Sequence, residues 1–139
     1  MSADAFRLDH VAIAVNDLDA ALAFYRDLLG LPVGAVERVA EQEVDVAFVG
    51  EEPGRLELIA PFVAGSSVAR FLEKRGEGLH HLALRVPSVE RALAALKQQG
   101  VPLIDETPRQ GAHGTTVAFV HPRGARGVLL ELVELPGVR

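Results

Sequence analysis

The first clear hydrophobic pattern along the chain is the segment 7–15, RLDHVAIAV, which is rich in apolar and β-branched residues. This pattern predicts a β-strand. In the next segment, NDLDAALAFYRDLLG at 16–30, apolar residues recur at the three- and four-residue spacing of one helix face. Asn16 or Asp17 can cap the start of this helix, and Gly30 can end it. The pattern therefore predicts a strand followed by an amphipathic helix.

The same pattern occurs a second time. LDHVAIAVNDLDAALAFYRDLLGL begins at position 8 and LHHLALRVPSVERALAALKQQGV at position 79, an offset of 79 − 8 = 71 residues. At this offset VAFV at 46–49 recurs at 117–120, and LEL at 56–58 recurs at 130–132 with three further residues in the turn HPRGARG. Polar positions match as well as apolar ones, which favours an internal duplication over chance similarity.

Each half predicts a strand, a helix and three more strands. The later strands are LPVGAVERVA, EVDVAFVG and GRLELIAP in the first half, and VPLIDE, TTVAFVH and GVLLELVE in the second. The second-half helix has Ser88 as its cap and Gly100 at its end.

We therefore expect a single α+β domain over 1–139. It contains a first βαβββ module at 7–62, a linking helix with the sequence SSVARFLEKRG within 63–77, and a second βαβββ module at 78–135. Neither module can bury one face of its sheet alone, so we expect the two to share a core and form one curved sheet.

Composition narrows the class of function. The chain has 139 residues, of which 49% are hydrophobic and 24% charged, and its formal net charge is −5. A nucleic-acid-binding domain normally carries a basic excess, which is lacking here. The sequence has no cysteine, which excludes disulfides and thiolate metal sites. No apolar run approaches the ~18 residues of a membrane span, and no basic leader is visible, so we expect a cytoplasmic protein that does not bind membranes.

Four polar residues stand out on strands that are otherwise apolar. The repeat matches His10 with His81 rather than with His80, so it predicts that His81 points inward and His80 outward. It also matches Glu57 with Glu131, each flanked by leucines. A buried glutamate on a sheet is costly unless it is paired or binds a cation. Two histidines and two glutamates at symmetry-matched positions therefore predict a divalent metal site.

The ligand types restrict the metal. Two imidazoles and two carboxylates suit borderline to hard ions: Co²⁺ is our first choice, with Mn²⁺, Ni²⁺ and Zn²⁺ as alternatives. An octahedral ion with four protein ligands keeps two positions for substrate oxygens or water, whereas a structural zinc site would be closed and tetrahedral.

At these residues the sequence resembles the vicinal-oxygen-chelate, or glyoxalase, superfamily, and within it the methylmalonyl-CoA epimerase family, over essentially the whole chain. The resemblance is carried by the segments LDHVAIAV, LELIAPF, SSVARFLEKRGEGLHHLALRV and LIDETPRQGAHGTTVAFVHPRGARGVLLEL. It implies paired βαβββ modules around a metal ion held by His10, Glu57, His81 and Glu131.

The resemblance also implies an isomerase that inverts C2 of methylmalonyl-CoA, a step of propionate metabolism, and it suggests a homodimer. Metal chelation of the substrate oxygens would stabilise an enolate while one group removes the C2 proton and another returns it. Glu131 is our first choice for one of these groups. Several relatives carry a glutamate at the position aligned with Val46, which cannot transfer a proton. Glu57, the counterpart of Glu131, is the candidate for the second catalytic role.

Other polar residues are interpreted as structural. Strand alternation should point Asp45 and Glu43 away from the pocket. His113, in the segment GAHG, and His121, in the segment HPRG, are predicted to lie in turns. Arg70, Lys74 and Arg75 could meet CoA phosphates, but they are interpreted as a solvated face of the linking helix.

Three other functions are compatible with parts of this pattern. A glyoxalase I-type lactoylglutathione lyase can use the same four ligand types and also moves a proton through an enediolate. An extradiol dioxygenase needs Fe²⁺ held by two histidines and one carboxylate, against which a fourth ligand, Glu57, argues. A metal-free binding protein of the same superfamily needs no inward quartet of histidine and glutamate.

Overall fold

A computed structural model describes residues 6–137 of the chain. Of these residues, 10–80 form one compact unit, and 81–137 together with 6–9 form the other. The elements of the first half are β1 (Arg7–Ala14), α1 (Leu18–Leu22) with a π-helical continuation (Ala23–Leu28), β2 (Glu37–Val39), β3 (Val44–Val49), β4 (Arg55–Pro61) and α2 (Ser67–Arg75). Those of the second half are β5 (Gly78–Arg85), α3 (Val89–Gln98), β6 (Arg109–Gln110), β7 (Thr116–Val120) and β8 (Leu130–Glu134). The fold is α+β, and the order βαβββ occurs twice, as the repeat predicts.

The strands of the first module lie in the order β2-β3-β4-β1. β1 is parallel to β4 and pairs Ala12 with Glu57, whereas β3 is antiparallel to β4 and pairs Phe48 with Glu57. Residues directly opposite one another point to the same face of a sheet. One face of this sheet therefore carries Ala12, Phe48 and Glu57.

The other face of the first sheet is covered by the first helix. Leu22 packs with Ala47, Val49 and Leu58 in a buried cluster. Each of the larger side chains in this cluster contributes roughly 1.5–3 kcal/mol by leaving water. The helix thereby fixes which face of β3 and β4 remains for the polar residues.

The second module repeats this arrangement with the strand order β5-β8-β7-β6. β5 is parallel to β8 and pairs Ala83 with Glu131, and β7 is antiparallel to β8 and pairs Phe119 with Glu131. The buried helix residues of α3 form a cluster with the other face of this sheet: Val89, Ala92 and Leu93 with Ala118, Val120 and Leu132. The duplication read from the sequence is thus confirmed down to the register of the central strands.

Helices α1 and α3 begin at capping residues that the sequence predicts. The Asp17 side chain accepts hydrogen bonds from the backbone N–H groups of the first turn, so Asp17 rather than Asn16 is the cap of α1. The Ser88 side chain accepts from the N–H of Arg91 at the start of α3. Gly30 follows the first helix with a φ of 77°, a left-handed conformation that glycine adopts without strain.

The second predicted strand of each half is wrong in extent. In the first half only Glu37–Val39 forms a strand, preceded by an isolated bridge between Val33 and Val49. In the second half VPLIDE, at 101–106, contributes only an isolated bridge between Leu103 and Val120, and the strand lies later, at Arg109–Gln110.

Hydrogen bonding at Asp105 explains the shift in the second half. The N–H groups of Ile104 and Asp105 both donate to the carbonyl of Phe119, while the Asp105 carboxylate accepts from the N–H of Phe119 at 2.9 Å. These bonds occupy both the N–H and the carbonyl group of Phe119. The N–H of Phe119 therefore cannot donate to a backbone carbonyl of this segment, and a regular ladder does not form here.

The longest helix among residues 6–137, α3, has only 10 residues, and none of the described helices could cross a membrane.

Candidate metal centre

The first of two histidine–glutamate pairs joins β1 and β4. His10 lies two residues before Ala12 on β1, and Ala12 is paired with Glu57 on β4, so both polar side chains project from the same face. Both are buried, with 3% of His10 and 7% of Glu57 exposed. The Nε2 atom of His10 lies 3.3 Å from Oε1 of Glu57.

The second pair has the same construction. His81 lies two residues before Ala83 on β5, and Ala83 is paired with Glu131 on β8. His81 is 6% exposed and Glu131 4%, and Nε2 of His81 lies 3.2 Å from Oε1 of Glu131. The two pairs therefore agree in strand register, in burial and in the atoms that approach one another.

An aromatic ring holds each histidine in place. The Phe48 ring meets the His10 ring edge to face, with 5.2 Å between centroids, and the Phe119 ring meets His81 in the same way at 5.3 Å. Such edge-to-face contacts restrict rotation of the imidazole. The Arg55 guanidinium also stacks on Phe48 at 4.1 Å from the ring centroid.

Each pair has the chemistry of a half-site for a cation. A carboxylate buried this deeply is costly unless a positive charge compensates it. A neutral imidazole nitrogen beside it supplies a second donor atom for a metal ion. His10, Glu57, His81 and Glu131 are each able to offer one ligand atom, so the residues fit a divalent ion with mixed nitrogen and oxygen ligands.

The remaining histidines lie outside these pairs. His80 is half-buried, and its ring packs against Phe71 at 4.8 Å between centroids. His121 accepts a hydrogen bond at Nδ1 from the N–H of Arg123, and thus stabilises a turn as predicted. His113 lies in a 3₁₀ turn with a left-handed φ of 56°.

The cationic residues of α2 are exposed, as predicted for a solvated helix face: Arg70, Lys74 and Arg75.

The carboxylate of Asp45, next to Val46 on β3, points away from the face that carries Glu57. Asp45 accepts two hydrogen bonds from the Arg38 guanidinium, at 2.8 and 3.1 Å. The hydrogen bond from Arg38 holds the pKa of Asp45 below its usual value. Val46 itself is buried, with 1% exposed.

Sequence reasoning missed a further carboxylate, that of Glu37. This residue opens the short strand β2 and is paired with Val46. Side chains alternate along a strand, so Glu37 and Val39 point to the face opposite that of Arg38. The sequence alone did not give the bounds of this strand, and the direction of Glu37 could therefore not be predicted.

Comparison with known proteins agrees with this architecture. Residues 9–119 match the Glyoxalase/Bleomycin resistance protein/Dioxygenase superfamily. The chain therefore belongs to this superfamily.

Individual relatives indicate which family within the superfamily the chain resembles. The chain is 49% identical over 131 residues to the uncharacterized protein YqjC of Bacillus subtilis, covering 94% of each chain. It is 41% identical over 131 residues to the ethylmalonyl-CoA/methylmalonyl-CoA epimerase of Cereibacter sphaeroides, covering 93% of this chain and 98% of the relative. Identity to the lactoylglutathione lyase of Salmonella typhimurium is lower, 28% over 128 residues, covering 92% of each chain.

Solved structures give the same result. A methylmalonyl-CoA epimerase in complex with methylmalonyl-CoA and NH4+ superposes with a TM-score of 0.90 at 36% identity, covering 96% of both chains. The methylmalonyl-CoA epimerase of Mycobacterium tuberculosis superposes with a TM-score of 0.87 at 40% identity, covering 94% of this chain and 88% of that one. Within the superfamily the chain belongs to the methylmalonyl-CoA epimerase family.

Proposed function

We propose that this protein is a methylmalonyl-CoA epimerase, an isomerase that interconverts the (R) and (S) forms of its substrate by removing and returning the proton at C2. The observation that carries the proposal is the pair of buried histidine–glutamate half-sites at matching register, in a chain that is 41% identical to an ethylmalonyl-CoA/methylmalonyl-CoA epimerase. Burial and register both favour a site that evolved as a duplicated unit.

The four half-site residues are proposed to hold one divalent cation: His10, Glu57, His81 and Glu131. Co²⁺ is the first choice, with Mn²⁺, Ni²⁺ and Zn²⁺ as alternatives that suit the same ligands. When bound, such an ion stabilises negative charge on the thioester and carboxylate oxygens of the substrate. The imidazole rings, each held by a phenylalanine, keep their nitrogen donors oriented without reorganisation.

The protein's own side chains must move the proton. The C2 proton lies between a thioester and a carboxylate, so its removal leaves an enolate whose charge spreads onto oxygen. Glu131 is proposed as one of the two proton-transfer groups, and its near-complete burial excludes water that would otherwise compete for the proton. Glu57 is the second candidate that the sequence offers.

A lactoylglutathione lyase is the alternative from the same superfamily, since that class also moves a proton beside a carbonyl. The lower identity to the Salmonella typhimurium lyase, 28%, ranks it second. A metal-free binding protein is the alternative from another class, but nothing in that role would require two deeply buried histidine–glutamate pairs.

The decisive experiment measures exchange of the C2 hydrogen of methylmalonyl-CoA with D₂O, before and after removal of metal with a chelator and after its return. We expect metal-dependent exchange and epimerisation. In Glu131→Gln metal content should fall, because Glu131 is one of the four proposed ligands. Exchange and epimerisation measured at saturating metal should still fall by ~100-fold or more, because general acid–base groups contribute that much. Glu57→Gln should lower metal content and activity together, and Glu90→Gln, an exposed change on α3, should alter neither.

Related measurements distinguish the epimerase from the lyase and from the metal-free binding protein. Turnover of the glutathione hemithioacetal of methylglyoxal, with no exchange of methylmalonyl-CoA, would replace the epimerase by the lyase. Elemental analysis that finds no metal in protein purified without chelator, together with no turnover, would favour the binding protein.

Assembly and location complete the proposal. A homodimer is proposed from the family resemblance, and light scattering of the purified protein measures its mass directly. A cytoplasmic location is consistent with a chain that has no cysteine to oxidise, and cell fractionation would test it.

A further inference from the structure

Arg55 lies on the face of the first sheet that carries the half-site of His10 and Glu57. Arg55 and Glu57 are two residues apart on β4, so their side chains project from the same face. In the parallel register of β1 and β4, Arg55 is the direct partner of His10. Neighbouring strands lie ~4.8 Å apart, so Arg55 belongs to the immediate surroundings of this half-site.

An aromatic ring fixes the position of the Arg55 guanidinium. Its Cζ atom lies 4.1 Å from the centroid of the Phe48 ring, and the same ring meets the His10 imidazole with 5.2 Å between centroids. A cation over the face of an aromatic ring is attracted by the ring's quadrupole. Because Phe48 contacts both side chains, it keeps the guanidinium close to the imidazole.

The positive charge of Arg55 is largely withdrawn from water. Only 20% of its side chain is exposed, and its Nη2 atom lies 3.4 Å from Oε1 of the half-exposed Glu52. An ion pair with a solvated carboxylate adds little stability, whereas withdrawing a guanidinium from water is costly. A buried positive charge beside a site for a cation is also unfavourable by itself, and an anion that contacts both removes this repulsion. These surroundings therefore favour an anionic ligand next to the half-site.

The second module has no cation at the equivalent position. Alignment of the two LEL segments matches Arg55 with Leu129, which cannot bind an anion. A malonyl-type thioester is unsymmetrical in a similar way, because one end of its acyl group is a charged carboxylate and the other is a neutral thioester. A guanidinium can bind such a carboxylate through two parallel N–H···O hydrogen bonds. The first module thus offers a carboxylate partner that the second module lacks at this position.

We infer that Arg55 binds the carboxylate of the substrate's acyl group. The inference rests on the proposed epimerase function, because that function supplies a malonyl-type thioester as the ligand. Arg55 is then a specificity-determining residue. It favours thioesters that carry a carboxylate on C2 over those that carry a methyl group there.

The test compares two ligands that differ in this group alone, malonyl-CoA and propionyl-CoA. Neither has a stereocentre at C2, so isothermal titration calorimetry at saturating metal measures their equilibrium binding. Arg55→Gln should weaken binding of malonyl-CoA by ~10–100-fold, because it removes a charge-assisted hydrogen bond, and should leave binding of propionyl-CoA nearly unchanged. Arg55→Leu, which introduces the residue of the second module, should give the same selective loss. It provides the comparison if the glutamine variant fails to fold.

Arg38→Gln is the matched control, since it removes the same charge from the other face of the same sheet, where Arg38 is paired with Asp45. Its affinity for both ligands should equal that of wild type. Unchanged binding of malonyl-CoA in Arg55→Gln would overturn the inference. An equal loss for the two ligands would overturn it as well, because the guanidinium would then serve the CoA phosphates or the fold rather than the acyl carboxylate.

Failure of the proposed function gives a different result. Wild type that does not exchange the C2 hydrogen of methylmalonyl-CoA would reject the epimerase, whatever the binding data show. Wild type that exchanges this hydrogen, together with an Arg55→Gln variant that lacks the selective loss, would reject only the role of Arg55.

Discussion

The two βαβββ modules agree on their central strands and differ at their edges. In each module a histidine lies two residues before an alanine, and this alanine and a phenylalanine flank the same glutamate on neighbouring strands. The distances within the two pairs, 3.3 and 3.2 Å, hardly differ. The central strands thus preserve a duplicated binding unit.

The edge strands carry opposite charges at equivalent positions. Glu37 is paired with Val46 in the first module, and Arg109 is paired with Val117 in the second. The valines are equivalent at the offset of 71 residues. The Nη1 atom of Arg109 lies 3.4 Å from Oδ1 of Asp105. The two edge strands therefore differ in charge where the central strands agree.

The largest expected effect tests the equivalence of the half-sites. His10→Ala and His81→Ala should each lower metal affinity by more than ~100-fold, since loss of an outer-shell partner alone costs up to that much. The factors for the two variants should be similar, because the two pairs have the same geometry. Chelator competition followed by elemental analysis measures them.

His80→Ala is the matched control for this comparison, since His80 adjoins His81 but packs against Phe71. Its metal affinity should equal that of wild type. A histidine variant of either half-site that retained full affinity would show that the halves are not equivalent ligands.

The next effect concerns the phenylalanines that hold the histidines. Phe48→Ala and Phe119→Ala should each lower the free energy of unfolding by ~3–5 kcal/mol, because both side chains are buried. Phe48→Ala should cost up to ~1 kcal/mol more, since it also removes the contact with Arg55, whose equivalent position is Leu129. Urea denaturation measures both.

Phe24→Ala provides the control, because 48% of that side chain is exposed. Its effect should stay below ~1 kcal/mol. Equal losses for Phe48 and Phe119 would mean that the stacked guanidinium adds nothing to stability.

The sequence predicted the central strands well because each has a clear pattern of apolar and polar residues, and this pattern occurs in both halves. His10 and His81 could be paired by alignment alone, and this pairing selected His81 over His80 before any register was known. Burial then followed from apolar neighbours, as around Glu57. These features need only the alternation of side chains along a strand.

The edges could not be predicted in the same way. β2 has three residues and β6 two, so neither displays a periodicity of its own. The end of the ladder near 105 depends on a side chain that bonds to a residue 14 positions away, Phe119. The direction of Glu37 depends likewise on its partner on β3, which tertiary pairing decides.

A smaller effect compares the two helix caps. Asp17→Ala and Ser88→Ala should each destabilise the protein by ~1 kcal/mol, because each removes a side-chain acceptor for N–H groups of the first turn. Asp17→Ala should cost slightly more, since a carboxylate also interacts with the helix dipole. Thermal unfolding followed by circular dichroism would detect both, and equal stability of either variant with wild type would contradict the cap assignment.

The smallest effect lies on the outer face of the edge strands, where Arg38 and Asp45 form an ion pair. The equivalent pair in the second module is neutral, Gln110 opposite Thr116. Arg38→Ala should raise the pKa of Asp45 towards its ordinary value, because Arg38 is the main cause of its depression. A carboxyl NMR titration of wild type and variant measures the change.

The sign of the linked stability effect follows from that depression. A carboxyl with a lowered folded pKa stabilises the fold above its unfolded pKa, and this contribution disappears as the pH falls through the folded value. The stability difference between wild type and Arg38→Ala should therefore be larger at neutral pH than in acid, where only the stacking of Arg38 on the Phe62 ring, at 4.0 Å from its centroid, remains. Gln110→Ala should show no such pH dependence, since neither partner titrates. If both variants responded alike to pH, the charge at the first edge would have no energetic role, and the divergence of the two edges would concern only Glu37 and Arg109.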